Sequence, residues 1–256
     1  MDNFDAKKVK NDIVQWIRDW FSENGPNCNA IIGISGGKDS SIAAALCVEA
    51  LGKDRVIGVT MPNVVQVTER ALNETMNAVR EVVESLDILC FSVPIHSAYC
   101  DLCDRVSGVL DGNITEQTRV NLAPRLRMAT LYAVSQSCNG RVVNTCNLSE
   151  DWVGYSTRWG DSVGDFAPLQ DFTVTELKAI GYELSDLLPK HLVDRIPTDD
   201  LCGKTDEDNL GFTYAVLDKY IRTGICEDKD VKALIDAKHN KNLFKMRPIP
   251  KFEYVA

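Results

Sequence analysis

Residues 30–40 read Ala30-Ile31-Ile32-Gly33-Ile34-Ser35-Gly36-Gly37-Lys38-Asp39-Ser40, and their types and order suit a phosphate-binding turn. An apolar run with strand character ends in Ser-Gly-Gly, and a helix-compatible segment, Ser41 to Cys47, follows at once. A strand, a glycine turn and a helix N-terminus together form an anion site. They supply exposed backbone N–H groups and the positive end of a helix dipole, with no Cβ atoms to block close approach. Ser35 and Ser40 add hydroxyl donors, Lys38 a cation, and Asp39 a carboxylate able to hold a metal ion.

Four readings compete for this loop. A Walker A loop needs four residues between its glycines and then Gly-Lys-Ser/Thr. Only three separate Gly33 from Gly37, and Asp39 stands where the hydroxyl belongs, so that reading fails on spacing. Gly33-Ile34-Ser35-Gly36-Gly37 satisfies the nucleophile-elbow pattern, but an elbow of that kind follows several strands and an oxyanion segment, neither of which precedes Ser35. The bland reading is a glycine turn joining a core strand to a core helix. The fourth is the Ser-Gly-Gly-x-Asp-Ser pyrophosphate loop: these residues resemble the N-type ATP pyrophosphatase superfamily. That resemblance implies a loop holding the pyrophosphate of ATP while the α-phosphate is attacked.

The surrounding pattern says what must position the loop. Val9, Ile13, Trp16, Ile17, Trp20 and Phe21 recur at helical spacing, so the chain opens on an amphipathic helix, its tryptophans suited to core or subunit contact. Strands are expected over 30–34, 55–60, 88–93 and 141–145. Helices are expected from about 68, over 95–109 and over 118–135. Strands alternating with helices give an α/β fold: a doubly wound parallel sheet, Rossmann-like, covered by helices on both faces. Such sheets bind ligands beyond the carboxyl ends of their strands, which makes Ser35 and Thr145 neighbours in space. Residues 149–168 read as a functional loop and 196–208 as a second, mobile one. Thr173-Val174-Thr175-Glu176 is a capping box. Helices over 213–222 and 229–238 lead into a basic tail, about 237–256.

At 256 residues, with 45% hydrophobic and 25% charged residues, the composition suits one globular domain over 1–256. A net charge of −9 argues against a nucleic-acid binder, although the tail carries Lys238, Lys241, Lys245, Arg247 and Lys251 against Glu253 alone. No run is long enough to span a bilayer and the first residues are no signal peptide, so the cytoplasm is expected. Nine cysteines in such a setting are expected to be reduced structural thiols.

Several blocks in the second half narrow the reading. They are Asn121 to Tyr132, Thr145 to Glu150, Gly154 to Asp161 with Asp165, Pro197 to Leu201, and Asp206-Glu207 with Leu210 to Tyr214 and Asp218. Together they resemble the ammonia-dependent NAD synthetase family, whose fold is adenine nucleotide alpha hydrolase-like. The resemblance implies ATP-dependent amidation of deamido-NAD by ammonia through a nicotinate-adenylate, releasing AMP and pyrophosphate. It assigns ATP to Gly33, Ile34, Ser35, Gly36, Gly37, Lys38, Asp39, Ser40, Thr145 and Thr198, with Ser35, Asp39 and Ser40 at the reacting centre. Magnesium falls to Asp39 and Glu150. Deamido-NAD falls to Arg125, Arg158, Asp165 and Lys245, with Arg127 and Tyr132 as second candidates. A homodimer is also implied. The alternative is another adenylating enzyme with the same loop, of tRNA-modifying or amidotransferase type.

The chain departs from that family at four places. Asn144 replaces a glycine, and Arg158 replaces a lysine, which keeps the charge but changes its geometry. Val174 stands where the family has a lysine touching ATP, leaving Lys178 or Lys204 to substitute. Phe244-Lys245 stands in place of His-Lys. Two of the four, Arg158 and Phe244, fall at the dinucleotide end.

Overall fold

The computed structural model describes residues 4–64, 68–195 and 205–254. In chain order the elements are α1 (Ala6–Asn24), β1 (Asn29–Gly33), α2 (Lys38–Leu51), β2 (Val56–Thr60), α3 (Glu69–Leu86), β3 (Leu89–Ser92), α4 (His96–Val109), α5 (Glu116–Ser137) and β4 (Gly140–Val142). They continue as α6 (Leu148–Val153), α7 (Val174–Tyr182), α8 (Lys190–Val193), α9 (Asp206–Leu210), α10 (Tyr214–Thr223) and α11 (Lys229–Met246).

The four strands form one parallel sheet in the order β3-β2-β1-β4. Alternation along β1 explains the two covered faces, because successive side chains point to opposite sides. Ala30, Ile32 and Ile34 pack with α1, α2, α3 and α7 on one face. Ile31 packs with Ile57 and Val59 of β2 and with α4 and α5 on the other. The expected doubly wound α/β architecture is what the chain adopts. The order steps outward from β1 to β3 and then returns to the far side of β1, so the switch point lies between β1 and β4. That is where an open α/β sheet leaves a crevice for a ligand.

Three local expectations need correction. β4 ends at Val142, short of 145, because Val143 forms a single parallel bridge with Phe166. The returning chain closes there: the Asp165 N–H donates to the Val142 carbonyl at 2.8 Å, and the Asp165 carboxylate accepts the Val142 N–H at 2.7 Å. The region 149–168 is not all loop. It opens with α6, capped by the Asn147 side chain on the Glu150 N–H and closed by Gly154 at φ 68°. The basic stretch from 237 begins as helix, since α11 runs on to Met246. The capping box at Thr173 and Glu176 is present and starts α7.

A third apolar cluster, Val153, Val174, Leu210, Phe212, Tyr214, Leu217 and Ile235, joins α6, α7, α9, α10 and α11. It packs the C-terminal helices against the element that follows β4. No helix among the described residues is long and apolar enough to cross a membrane.

The β1–β4 contact is tight enough to test. A Cβ at Gly140 would lie 2.3 Å from Ile31 Cγ1 and 2.8 Å from its Cδ1, and Ile31 is fully buried. Gly140→Ala is therefore expected to cost about 1–3 kcal/mol through overpacking. Urea unfolding should show a lower midpoint at unchanged slope; an unchanged midpoint would contradict this packing.

Candidate active site

The glycine turn after β1 is held in shape from both ends. The Ile34 N–H donates to the Val59 carbonyl at 3.0 Å, tying the loop to β2. Ser35 and Ser40 hydroxyls meet at 3.1 Å, the Ser40 hydroxyl also donates to the Gly37 carbonyl at 3.1 Å, and the Gly37 N–H donates to Ser35 Oγ at 3.2 Å. Gly36 sits at φ 74°, in the left-handed region, and a Cβ there would meet Arg195 Nη1, the Thr75 carbonyl and Ala78. Arg195 donates to the Gly36 carbonyl at 2.8 Å and to Thr75 Oγ1 at 3.2 Å. Helix α2 begins at Lys38 without any side-chain cap, which leaves its first N–H groups and the positive end of its dipole for a ligand.

Beside this loop the structure gathers acids around one base. The Lys38 ammonium donates to Asp39 Oδ2 at 2.8 Å, and its side chain is 1% exposed. Burial alone would lower its pKa, but the charges of Asp39, Glu150 and Asp206 raise it overall, so the group stays protonated. Glu150, in the first turn of α6, is pushed up to about 8, mainly by burial and then by Asp39. Asp206 is buried at the head of α9 and accepts from Tyr214 Oη at 3.3 Å. Asp39 and Glu150, assigned together from the sequence, thus share one electrostatic neighbourhood. Asp206 and Tyr214 join it without having been assigned there, and Arg195, likewise unassigned, holds the loop at Gly36.

Helix α6 owes its place to a buried carboxylate. Asp218 of α10, fully buried, accepts from Ser149 Oγ at 2.5 Å and from both Thr175 N–H and Thr175 Oγ1, at 2.8 and 2.6 Å. One side chain therefore links α6, α7 and α10. Cys146, just after Thr145, is buried; burial foremost, with Asp161, Asp151, Glu150 and Asp39 adding to it, pushes its thiol well up. It is a neutral thiol, not a nucleophile.

The residues assigned to the dinucleotide fall on the adjoining surface. Tyr132 Oη donates to Asp165 Oδ1 at 3.3 Å, beside the end of β4. Arg125 lies seven residues earlier on α5, on the same helix face as Tyr132, and is exposed. α5 meets the 157–160 loop there: Thr157 Oγ1 donates to Asn121 at 3.0 Å, and Pro124 stands 2.8 Å from where a Cβ at Gly160 would lie. Arg127 donates to the Met61 carbonyl at 3.3 Å. The Arg158 guanidinium lies 4.8 Å from the Trp159 ring centroid and 5.5 Å from that of Phe244, so two departures from the family pattern touch each other. Lys245 donates to the carbonyls of Gly154 and Ser156 at 2.7 and 2.9 Å, fixing the turn after α6. Val174 is buried in the third cluster. Thr198 and Lys204 lie outside the described residues, as does most of the expected mobile loop; its last part is α9.

Comparison with known proteins gives a consistent result. A family profile described as NAD synthase matches residues 9–252. The chain is 32% identical over 250 residues to the NH(3)-dependent NAD(+) synthetase of Finegoldia magna, covering 96% of each. It superposes on the NMN synthetase of Francisella tularensis with a TM-score of 0.87 at 28% identity, over 98% of this chain and 100% of that one. On the NH3-dependent NAD synthetase of Campylobacter jejuni, in complex with nitrate, the TM-score is 0.75 at 25% identity, over 97% and 99%.

Gly36 tests the loop directly. An alanine there meets both a disfavoured φ and three close neighbours, each costing on the order of 1–3 kcal/mol. Gly36→Ala is expected to weaken ATP binding about tenfold or more by calorimetry, while a Gly108→Ala control, at a position with open space, leaves it unchanged.

Proposed function

The chain belongs to the NAD synthase family and is an enzyme of the NAD synthetase type; we propose that it amidates deamido-NAD to NAD with ATP and ammonia. The observation that carries this reading is the uncapped start of α2 behind a Ser-Gly-Gly turn, with Glu150 within the field of the Asp39 charge. The N–H groups of that turn and the Ser35 and Ser40 hydroxyls suit the β- and γ-phosphates, which leaves the α-phosphorus open. A nicotinate carboxylate oxygen attacks it, the bond to pyrophosphate breaks, and an acyl adenylate forms. Ammonia then adds to the activated carbonyl, loses a proton and expels AMP. The protein supplies position and charge compensation, the two largest contributions open to such a site.

The same residues suit a divalent cation. Asp39 Oδ1 is buried and has no hydrogen-bond partner among the described residues, and Glu150 stands within the reach of its charge. Hard carboxylate oxygens are what magnesium takes. Asp39 and Glu150 would hold magnesium, which would supply charge neutralisation for the departing pyrophosphate. Arg125, Arg158, Asp165 and Lys245, with Tyr132 and Arg127 near them, are the proposed dinucleotide side. A cytoplasmic homodimer is proposed as well, with exposed Trp16 as a contact.

One observation favours a second reading. The superposition on an NMN synthetase, with a TM-score of 0.87, is closer than that on an NAD synthetase, at 0.75, over nearly the same coverage. The mononucleotide form of the substrate carries the same reactive nicotinate carboxylate without the adenylyl half, and Arg158, proposed for the dinucleotide, is stacked with Trp159 and Phe244. The ratio of kcat/KM for deamido-NAD and nicotinate mononucleotide decides between them.

Turnover is expected to yield AMP and pyrophosphate, and oxygen-labelled nicotinate carboxylate should pass one label to AMP. ADP with free phosphate would overturn the adenylation reading, whereas unlabelled AMP would overturn the substrate. Asp39→Ala and Glu150→Ala are each expected to lower the rate about a thousandfold; near-normal turnover in both removes them from the mechanism.

A further inference from the structure

Lys38 occupies the variable position of the Ser-Gly-Gly-x-Asp-Ser loop, and nothing in an anion-binding turn requires a lysine to be buried there. Its ammonium is nonetheless turned away from solvent and donates to Asp39 Oδ2 at 2.8 Å. The Tyr214 ring lies 5.9 Å away, and the Glu150 and Asp206 charges lie within its field. The other oxygen of Asp39, Oδ1, is buried without a hydrogen-bond partner among the described residues. Carboxyl groups within one another's field disfavour each other's ionisation, and a buried charge left unpaired is costly. One fixed cation reduces both penalties, and it does so at the oxygens a divalent ion would use.

We propose that the Lys38 ammonium is the resident counter-ion of the Asp39–Glu150–Asp206 cluster and makes divalent-cation binding there depend on nucleotide. It holds Asp39 while the site is empty and transfers to a phosphate oxygen when the polyphosphate arrives. This rests on the reading of Asp39 and Glu150 as the metal's ligands. Its consequence is ordered loading: without ATP the cluster is already neutralised in part and binds a divalent ion weakly. With ATP the ammonium has a better partner, and Asp39 is released to the metal. The coupling is reciprocal, so the metal strengthens nucleotide binding by the same factor.

The test is manganese binding to the full-length, nucleotide-free protein, followed by electron paramagnetic resonance. Lys38→Met is expected to bind manganese about tenfold more tightly than the wild type, because a positive charge beside the ion is gone. Lys38→Arg, which keeps the charge, should stay within about twofold of wild type. Without metal, Lys38→Met should melt below the wild type, and saturating manganese should raise its melting temperature more than it raises that of the wild type. Equal or weaker manganese binding by Lys38→Met overturns the proposal. Asp39→Asn separates the two readings. If it binds manganese as the wild type does, the metal assignment falls. If it loses the ion while Lys38→Met is unchanged, only the role of Lys38 falls. Should Lys38→Met fail to fold, a crystal structure of the wild type with manganese and a non-hydrolysable ATP analogue decides. Lys38 Nζ is expected on a phosphate oxygen, and Nζ still on Asp39 Oδ2 overturns the proposal.

Discussion

Asp39, Glu150 and Asp206 come from three separate elements, α2, α6 and α9, yet their charges act on one another and on Lys38 in a buried space. Holding like charges together costs free energy, and in low dielectric that cost grows steeply as they approach. Much of the molecule answers to this constraint. The switch between β1 and β4 opens the crevice, the buried Asp218 fixes α6, and Arg195 fixes the Gly36 carbonyl opposite. The same strain makes the site useful, since a cluster that repels itself favours cations, and cations are what a polyphosphate needs around it.

The C-terminal helices serve that arrangement from behind. His239 of α11 bonds the Trp152 carbonyl at 2.8 Å and stacks on its ring at 4.2 Å. Asn242 and Lys245 hold the carbonyls of Val153, Gly154 and Ser156. The lysine assigned to the dinucleotide thus has a second task in shaping the turn from α6 to Arg158. Phe244 joins Arg158 on the same side, so the two departures from the family pattern form one local feature.

The loop around Ser35 was legible because strand, glycine turn and helix are contiguous and each leaves a short-range signal. Sheet class followed from the alternation of strands with helices, whereas the strand order came only from the fold. Helix α6 was hidden because it is barely more than a turn, inside a glycine-rich, charged stretch. The extent of α11 was hidden because its lysines read as a solvated end, while its burial depends on α6. Asp206 stood in a block that resembles the family but had no role assigned there, and Arg195 carries no local mark at all. Arg195 reaches Gly36 across 159 residues, and only the fold brings them together.

The central claim is that this cluster opens the α-phosphorus of ATP to a carboxylate, with pyrophosphate held by the loop. Pyrophosphate exchange tests it most directly. With ATP, magnesium and deamido-NAD but no ammonia, radiolabelled pyrophosphate should enter ATP, because adenylation is reversible: the acyl adenylate stays bound while pyrophosphate leaves and labelled pyrophosphate takes its place. The exchange should require the dinucleotide or its mononucleotide counterpart and vanish without either. Label that never enters ATP while ATP is consumed to ADP would contradict the account.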